Sequence, residues 1–107
     1  GLEAARPGNP AGAVARALFD SLERAGIKKD SRCGYPIGIS YPPDWGERTI
    51  SFRKEDETIL EAGMTFHFMP GLWMDDWGIE ITESILIRDS GPAECFCDRP
   101  RRLIVKD

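Results

Sequence analysis

Val14, Leu18 and Leu22 recur every four residues, and Ala11, Ala15, Ala17 and Ala25 widen that apolar stripe. The spacing predicts one amphipathic helix from about Pro10 to Ala25. Asn9 followed by Pro10 suits its start, because Asn can accept from orphan amides and Pro fits the first turn. Gly26 suits a left-handed C-cap, and Lys28 and Lys29 lie near the negative end of the helix dipole. Everything after this helix is of a different kind.

From Ser31 to Glu47 the chain is dense in Gly and Pro, with Tyr41-Pro42-Pro43-Asp44-Trp45-Gly46 at its centre, and regular structure is not expected there. Four strand candidates follow: Thr58 to Leu60, Thr65 to Met69, Gly78 to Ile87 and Leu103 to Lys106. Asp89-Ser90-Gly91-Pro92 is a turn that would make the last two consecutive antiparallel strands. One helix followed by antiparallel strands is an α+β arrangement.

At 107 residues the chain holds one domain at most, with a modest core. Apolar residues at 41% and charged residues at 30% describe an ordinary globular composition. The net charge of -4 offers no basic face for a phosphate backbone, so nucleic acid is not an expected partner. No apolar run approaches the roughly 20 residues that cross a bilayer, and a cytoplasmic location with no membrane partner is expected. Cys33, Cys95 and Cys97 read as reduced thiols, since Cys95-x-Cys97 lacks the second ligand pair of a structural zinc site. Gly1 in place of Met, with Leu2-Glu3-Ala4-Ala5 resembling the tail of a helix, points to an excised part of a longer polypeptide.

Three stretches then appear in order. They are Gly34-Tyr35-Pro36-Ile37-Gly38, Gly63-Met64-Thr65-Phe66-His67-Phe68-Met69-Pro70-Gly71, and Gly78-Ile79-Glu80-Ile81-Thr82-Glu83 leading into Ile85-Leu86-Ile87 and Gly91. They resemble the Gly-His-Gly-Ile-Gly, Gly-Met-x-Phe-x-x-Glu-Pro-Gly and Gly-Val-Arg-Ile-Glu-Asp motifs of the creatinase, prolidase and methionine aminopeptidase superfamily. The resemblance implies half of a pita-bread fold, with one amphipathic helix packed on a curved antiparallel sheet. Residues 1–107 would then be the C-terminal part of a pita-bread catalytic domain.

The departures from the motifs carry the functional expectation. Where dinuclear members of that superfamily place a histidine and two glutamates on metal, this sequence has Tyr35, Met69 and Thr82. A phenol, a thioether and a hydroxyl cannot replace an imidazole and two carboxylates around a divalent ion, so neither metal nor other cofactor is expected. The two aspartate ligands of the family would lie upstream of Gly1. Creatinase, a metal-free member, implies that the fold can hydrolyse without a Lewis acid. The wording around Tyr35 to Glu47 and Thr65 to Trp73 looks closest to members of the ectoine hydrolase type, which open a cyclic amidine to an N-acetylated diaminobutyrate. An amidinium carbon is already electron-poor and cationic, so carboxylates, a base and aromatic faces suit it better than a second cation.

The candidate catalytic groups are His67, Glu83 and Glu80. His67 shares a strand face with Thr65 and Met69 and is either a general acid–base or a hydrogen-bonded structural histidine. Glu80 and Thr82 alternate with Ile79 and Ile81, which places the isoleucines toward the core and the polar pair toward the site. Glu83 falls on the isoleucine side, so it must be paired, protonated or freed by a bulge. The candidate substrate-binding residues are Tyr35, Tyr41, Trp45, Met69, Trp73 and Thr82, the aromatic faces being suited to a delocalised cation. Trp77 belongs to the same aromatic set, with burial as its bland alternative. Asp44 and Glu47 are solvated loop charges or counter-charges to a cation. Arg99-Pro100-Arg101-Arg102 is expected to be a solvated run, with an oligomer interface or a substrate carboxylate as the alternative roles.

The expected partners are a small-molecule substrate, the N-terminal half of the same polypeptide and a second copy in a homodimer. The isolated chain is expected to expose apolar surface and to be inactive alone. A non-catalytic binding module and a remodelled Xaa-Pro peptidase are the competing readings.

Overall fold

Ala11–Arg24 form the helix, α1, one residue shorter at each end than its stripe predicts. The computed structural model describes residues 1–40, 43 and 48–107. Val14, Ala15 and Phe19 on one face of α1 enter the same apolar cluster as Phe52, Leu60, Phe66, Ile85 and Ile87. Arg24 in the last turn complements the helix dipole. Gly26 adopts φ 75°, and its amide reaches Glu23 O while the amide of Ile27 reaches Leu22 O. That double closure is the left-handed stop expected of a glycine at this position.

The start of α1 differs from expectation. Pro10 caps it with no side-chain hydrogen bond, and the Asn9 amide instead donates to Ala4 O at 2.9 Å. The orphan amides of Ala11 and Gly12 donate to Thr58 O and Asp56 O at 2.8 and 2.7 Å. The backbone of a distant segment therefore does the work a capping side chain would do.

The main sheet has four antiparallel strands in the order β1-β2-β5-β6: β1 is Gly34–Pro36, β2 Thr65–Phe68, β5 Glu83–Leu86 and β6 Glu94–Cys95. A separate hairpin pairs β3, Gly71–Trp73, with β4, Gly78–Glu80. The registers that matter put Tyr35 opposite His67, His67 opposite Ser84, and Phe66 opposite Ile85. Because side chains alternate, Phe66, Phe68 and Ile85 go to the core and His67 to the other face.

Four expectations are corrected. β1 lies inside the Gly/Pro-rich segment where no regular structure is expected; Pro36 is tolerated because β1 is an edge strand. The candidate Thr58 to Leu60 makes only an isolated bridge, Ile59 to Pro10. Gly78 to Ile87 is not one strand but two, in different sheets, with Ile81 and Thr82 between them. Leu103 to Lys106 is no strand, and its side chains are exposed; after the Asp89–Pro92 turn the chain pairs through Glu94–Cys95 instead.

Gly34 shows why β1 can sit so close to the core. A Cβ there would run into the Phe52 ring and lie 2.8 Å from His67 O. Phe52 in turn stacks on Phe66 at 4.5 Å between ring centroids and meets Phe68 edge-on at 6.2 Å.

Candidate functional site

β1 and β2 present Tyr35 and His67 side by side on the face turned from the core. Their ring centroids are 5.2 Å apart at 44°. The Arg32 guanidinium carbon sits 4.8 Å from the Tyr35 centroid, on the other side of a cation–π contact. Tyr35 thus contacts both Arg32 and His67.

Beyond β2 the chain turns through Met69, whose amide donates to Cys33 O at 2.8 Å, and enters the hairpin. Here a cavity of about 280 Å³ opens, lined by Met69, Gly71, Trp73 and Glu80 from the second motif and the hairpin together with Lys29, Ser31, Arg32 and Arg53. Arg32 belongs both to this cavity and to the stack on Tyr35. Lys29 is fixed by donating to Gly71 O at 2.6 Å and Ser31 Oγ at 2.7 Å. It serves the hairpin and not the end of α1, contrary to the dipole role read from sequence.

The cavity therefore gathers Met69, Trp73 and Glu80 of the nominated residues, with His67 and Tyr35 joined to it through Arg32. Thr82 is exposed in the link between β4 and β5 and does not line it. Tyr41 and Trp45, with Asp44 and Glu47, lie outside the described residues.

Ile79 and Ile81 do not enter the core; they are 44% and 37% exposed, and they line an apolar pocket with Leu22, Pro70 and Leu72. The alternation expected of this stretch holds for Glu83, Ser84 and Ile85 but fails at Ile79 and Ile81, because the hairpin does not continue into the main sheet. Trp73 is also largely exposed, its indole lying over Gly78.

Glu83 takes the core face, opposite Phe68, with 8% of its surface exposed. It accepts from Arg101 Nε at 2.7 Å, so of the readings open from sequence the geometry shows the internal ion pair. Arg101 is consequently not part of a merely solvated run. Its second nitrogen lies 3.2 Å from Cys95 Sγ. His67 and Glu83 occupy opposite faces of the sheet.

The three cations Lys29, Arg32 and Arg53 are functional candidates that sequence reading missed. The available signal was a cluster of positive charge at residues 28–32 in an acidic chain, immediately before the first motif. Burial pushes the Cys33 thiol up to about 12, and its Sγ lies 3.5 Å from Phe52 O.

Residues 1–89 match the model of metallopeptidase family M24, and the chain belongs to that family. It is 64% identical over 107 residues to ectoine hydrolase from Halomonas elongata, covering 99% of this chain and 27% of that protein. It is 46% identical to the hydrolase/peptidase y4tM of Sinorhizobium fredii, again over 99% of this chain and 27% of the relative. Among solved structures, dipeptidase PepE from Mycobacterium ulcerans superposes with a TM-score of 0.84 at 30% identity, covering 96% of this chain and 27% of that one. Prolidase from Pyrococcus horikoshii superposes at 0.82 with 24% identity over 96% of this chain and 29% of that one, which establishes the shared fold. The architecture is half of the pita-bread fold, and the chain spans about a quarter of the length of these relatives. Among the described residues no helix is long and apolar enough to cross a membrane.

The family name implies metal, and the residues at the motif positions do not fit one. Tyr35 is engaged by Arg32 and His67, Met69 offers only a thioether, and Thr82 lies away from the cavity. Three cationic side chains also line the space beside Met69, where a dication would be repelled.

Proposed function

We propose that the whole protein is a metal-independent cytoplasmic hydrolase that opens a small zwitterionic cyclic amidine of the ectoine kind at a C–N bond. The observation that carries this reading is the set Tyr35, Met69 and Thr82 at the motif positions of a chain 64% identical to an ectoine hydrolase. The free cysteines agree with a reducing compartment.

In this reading water adds to the amidinium carbon and loses a proton to a base; the ring C–N bond then breaks, and the departing nitrogen gains a proton. His67 and Glu80 are the titratable groups proposed for these transfers, since His67 adjoins the Tyr35–Arg32 stack and Glu80 lines the cavity. Trp73 offers an aromatic face to the amidinium, and Met69 adds to the cavity wall.

The test is turnover of the amidine ring by whole protein stripped with chelator. Retained release of an N-acetylated amine supports the reading. Activity abolished by the chelator and restored by manganese or cobalt defeats it. His67→Ala is expected to lower kcat by about 100-fold or more, in the range of lost acid–base catalysis; unchanged turnover removes His67 from the chemistry.

A further inference from the structure

The cavity beside Met69 carries both signs of charge. Glu80 and the indole of Trp73 come from the hairpin, whereas Arg32 and Arg53 come from the segments flanking β1. Among the described residues neither arginine has a carboxylate partner within ion-pair distance, although Arg53 also lines a second pocket with Glu23, Asp30 and Glu55. Among the described residues Arg32 is held through the Tyr35 ring and makes no hydrogen bond or ion pair. Lys29 is spent on Gly71 O and Ser31 Oγ; it contributes charge and braces the cavity wall. Two guanidinium groups lining one concave site without a carboxylate partner suit an anion with planar, bidentate geometry. At about 280 Å³ the space lies at the small-ligand end, below the roughly 300–1,000 Å³ of drug-sized pockets.

We propose that Arg32 and Arg53 form a subsite for the carboxylate of the substrate, which turns the amidinium end toward Trp73 and Glu80. This rests on the reading of the protein as a hydrolase of a zwitterionic amidine and adds the group that orients it. The arrangement also ties recognition to the proposed chemistry, because a carboxylate that pulls on Arg32 acts on the Tyr35 ring that contacts His67. Arg32 is in that respect a binding residue with a positioning effect.

The test compares whole-protein turnover of the carboxylated ring with that of 2-methyl-1,4,5,6-tetrahydropyrimidine, the same ring without its carboxylate. The wild type is expected to favour the carboxylated ring in kcat/KM by on the order of 100-fold. In Arg32→Gln/Arg53→Gln that preference falls to a few-fold, mainly through KM on the carboxylated ring, and Arg32→Lys recovers part of it. Equal losses on both rings, or a preserved preference, overturn the subsite. Absence of turnover on either ring by the wild type defeats the functional reading instead. The subsite is then judged by acetate titration followed at the Trp73 indole N–H resonance. A saturable shift lost in the double variant sustains it; no saturable shift, or one unchanged in the variant, overturns it.

Discussion

Glu83 Oε1 and Arg101 Nε meet at 2.7 Å, joining the core face of β5 to a C-terminal segment that has no regular structure. The carboxylate is nearly inaccessible while the guanidinium is half exposed, so the two partners are unequal. Removing Arg101 strands a buried charge, whereas removing Glu83 only frees a solvated one. Arg101→Ala is therefore expected to cost about 1–3 kcal/mol in urea unfolding of the whole protein. Glu83→Gln should cost less, because an amide in the same place still accepts from Arg101. Equal effects of the two substitutions would contradict this asymmetry.

Gly34→Ala is expected to destabilise by about 1–3 kcal/mol, as overpacking does when backbone must move. The added methyl meets the Phe52 ring and His67 O, and His67 O belongs to the ladder itself. Thermal unfolding measures the loss. A second readout is the Tyr35–His67 contact, which should loosen as β1 is pushed away from β2.

Thiol chemistry should rank the cysteines by environment. Cys97 is exposed, Cys95 partly covered and Cys33 buried with its thiol pushed up to about 12 by that burial. Iodoacetamide at pH 8 is expected to label Cys97 first, Cys95 more slowly and Cys33 only after denaturant. The same burial has a pH signature. The folded thiol holds its proton beyond 9.0, where the unfolded one loses it, so stability falls as pH rises from about 9 to about 12. Cys33→Ala should remove that alkaline component.

Asp56 organises the segment that caps α1. Partial burial alone would raise its carboxyl, but the Thr58 side chain and the amides of Ser51 and Thr58 more than offset this and hold it below 3.8. The amides donate at 2.7 and 3.0 Å, while Asp56 O accepts from Gly12 at the start of the helix. The contribution is fully present above the unfolded value and is lost as pH falls through the lowered folded one. Asp56→Asn is expected to cost about 1 kcal/mol at pH 7 and to flatten stability between pH 4 and the acid limit in a denaturant series.

Particular residues show what a single sequence can and cannot disclose. α1 was legible because Val14, Leu18 and Leu22 encode their common face locally, and Gly26 stops the helix by its own backbone freedom. Its cap was not, since Thr58 O and Asp56 O arrive from more than forty residues away. β1 was hidden for the same reason: three residues ending in Pro36 become a strand only because Phe66 to Phe68 lie alongside. The motif order led to the cavity that holds Met69, Trp73 and Glu80. Period-two reasoning then failed at Ile79 and Ile81, because it assumes one uninterrupted strand. Arg53 stands far from every motif, and only folding brings it to Arg32.

Ile81 and Thr82 form the joint between a small hairpin and the ladder that carries the core. Phase is lost across those two residues, so the facing of Glu80 is uncoupled from that of Ser84. Substitutions in the hairpin can consequently rewrite the lining of the cavity while Phe66 and Ile85 stay locked together. Such a joint lets one scaffold exchange its chemistry piecemeal, with the cost to packing confined to a few solvent-facing side chains.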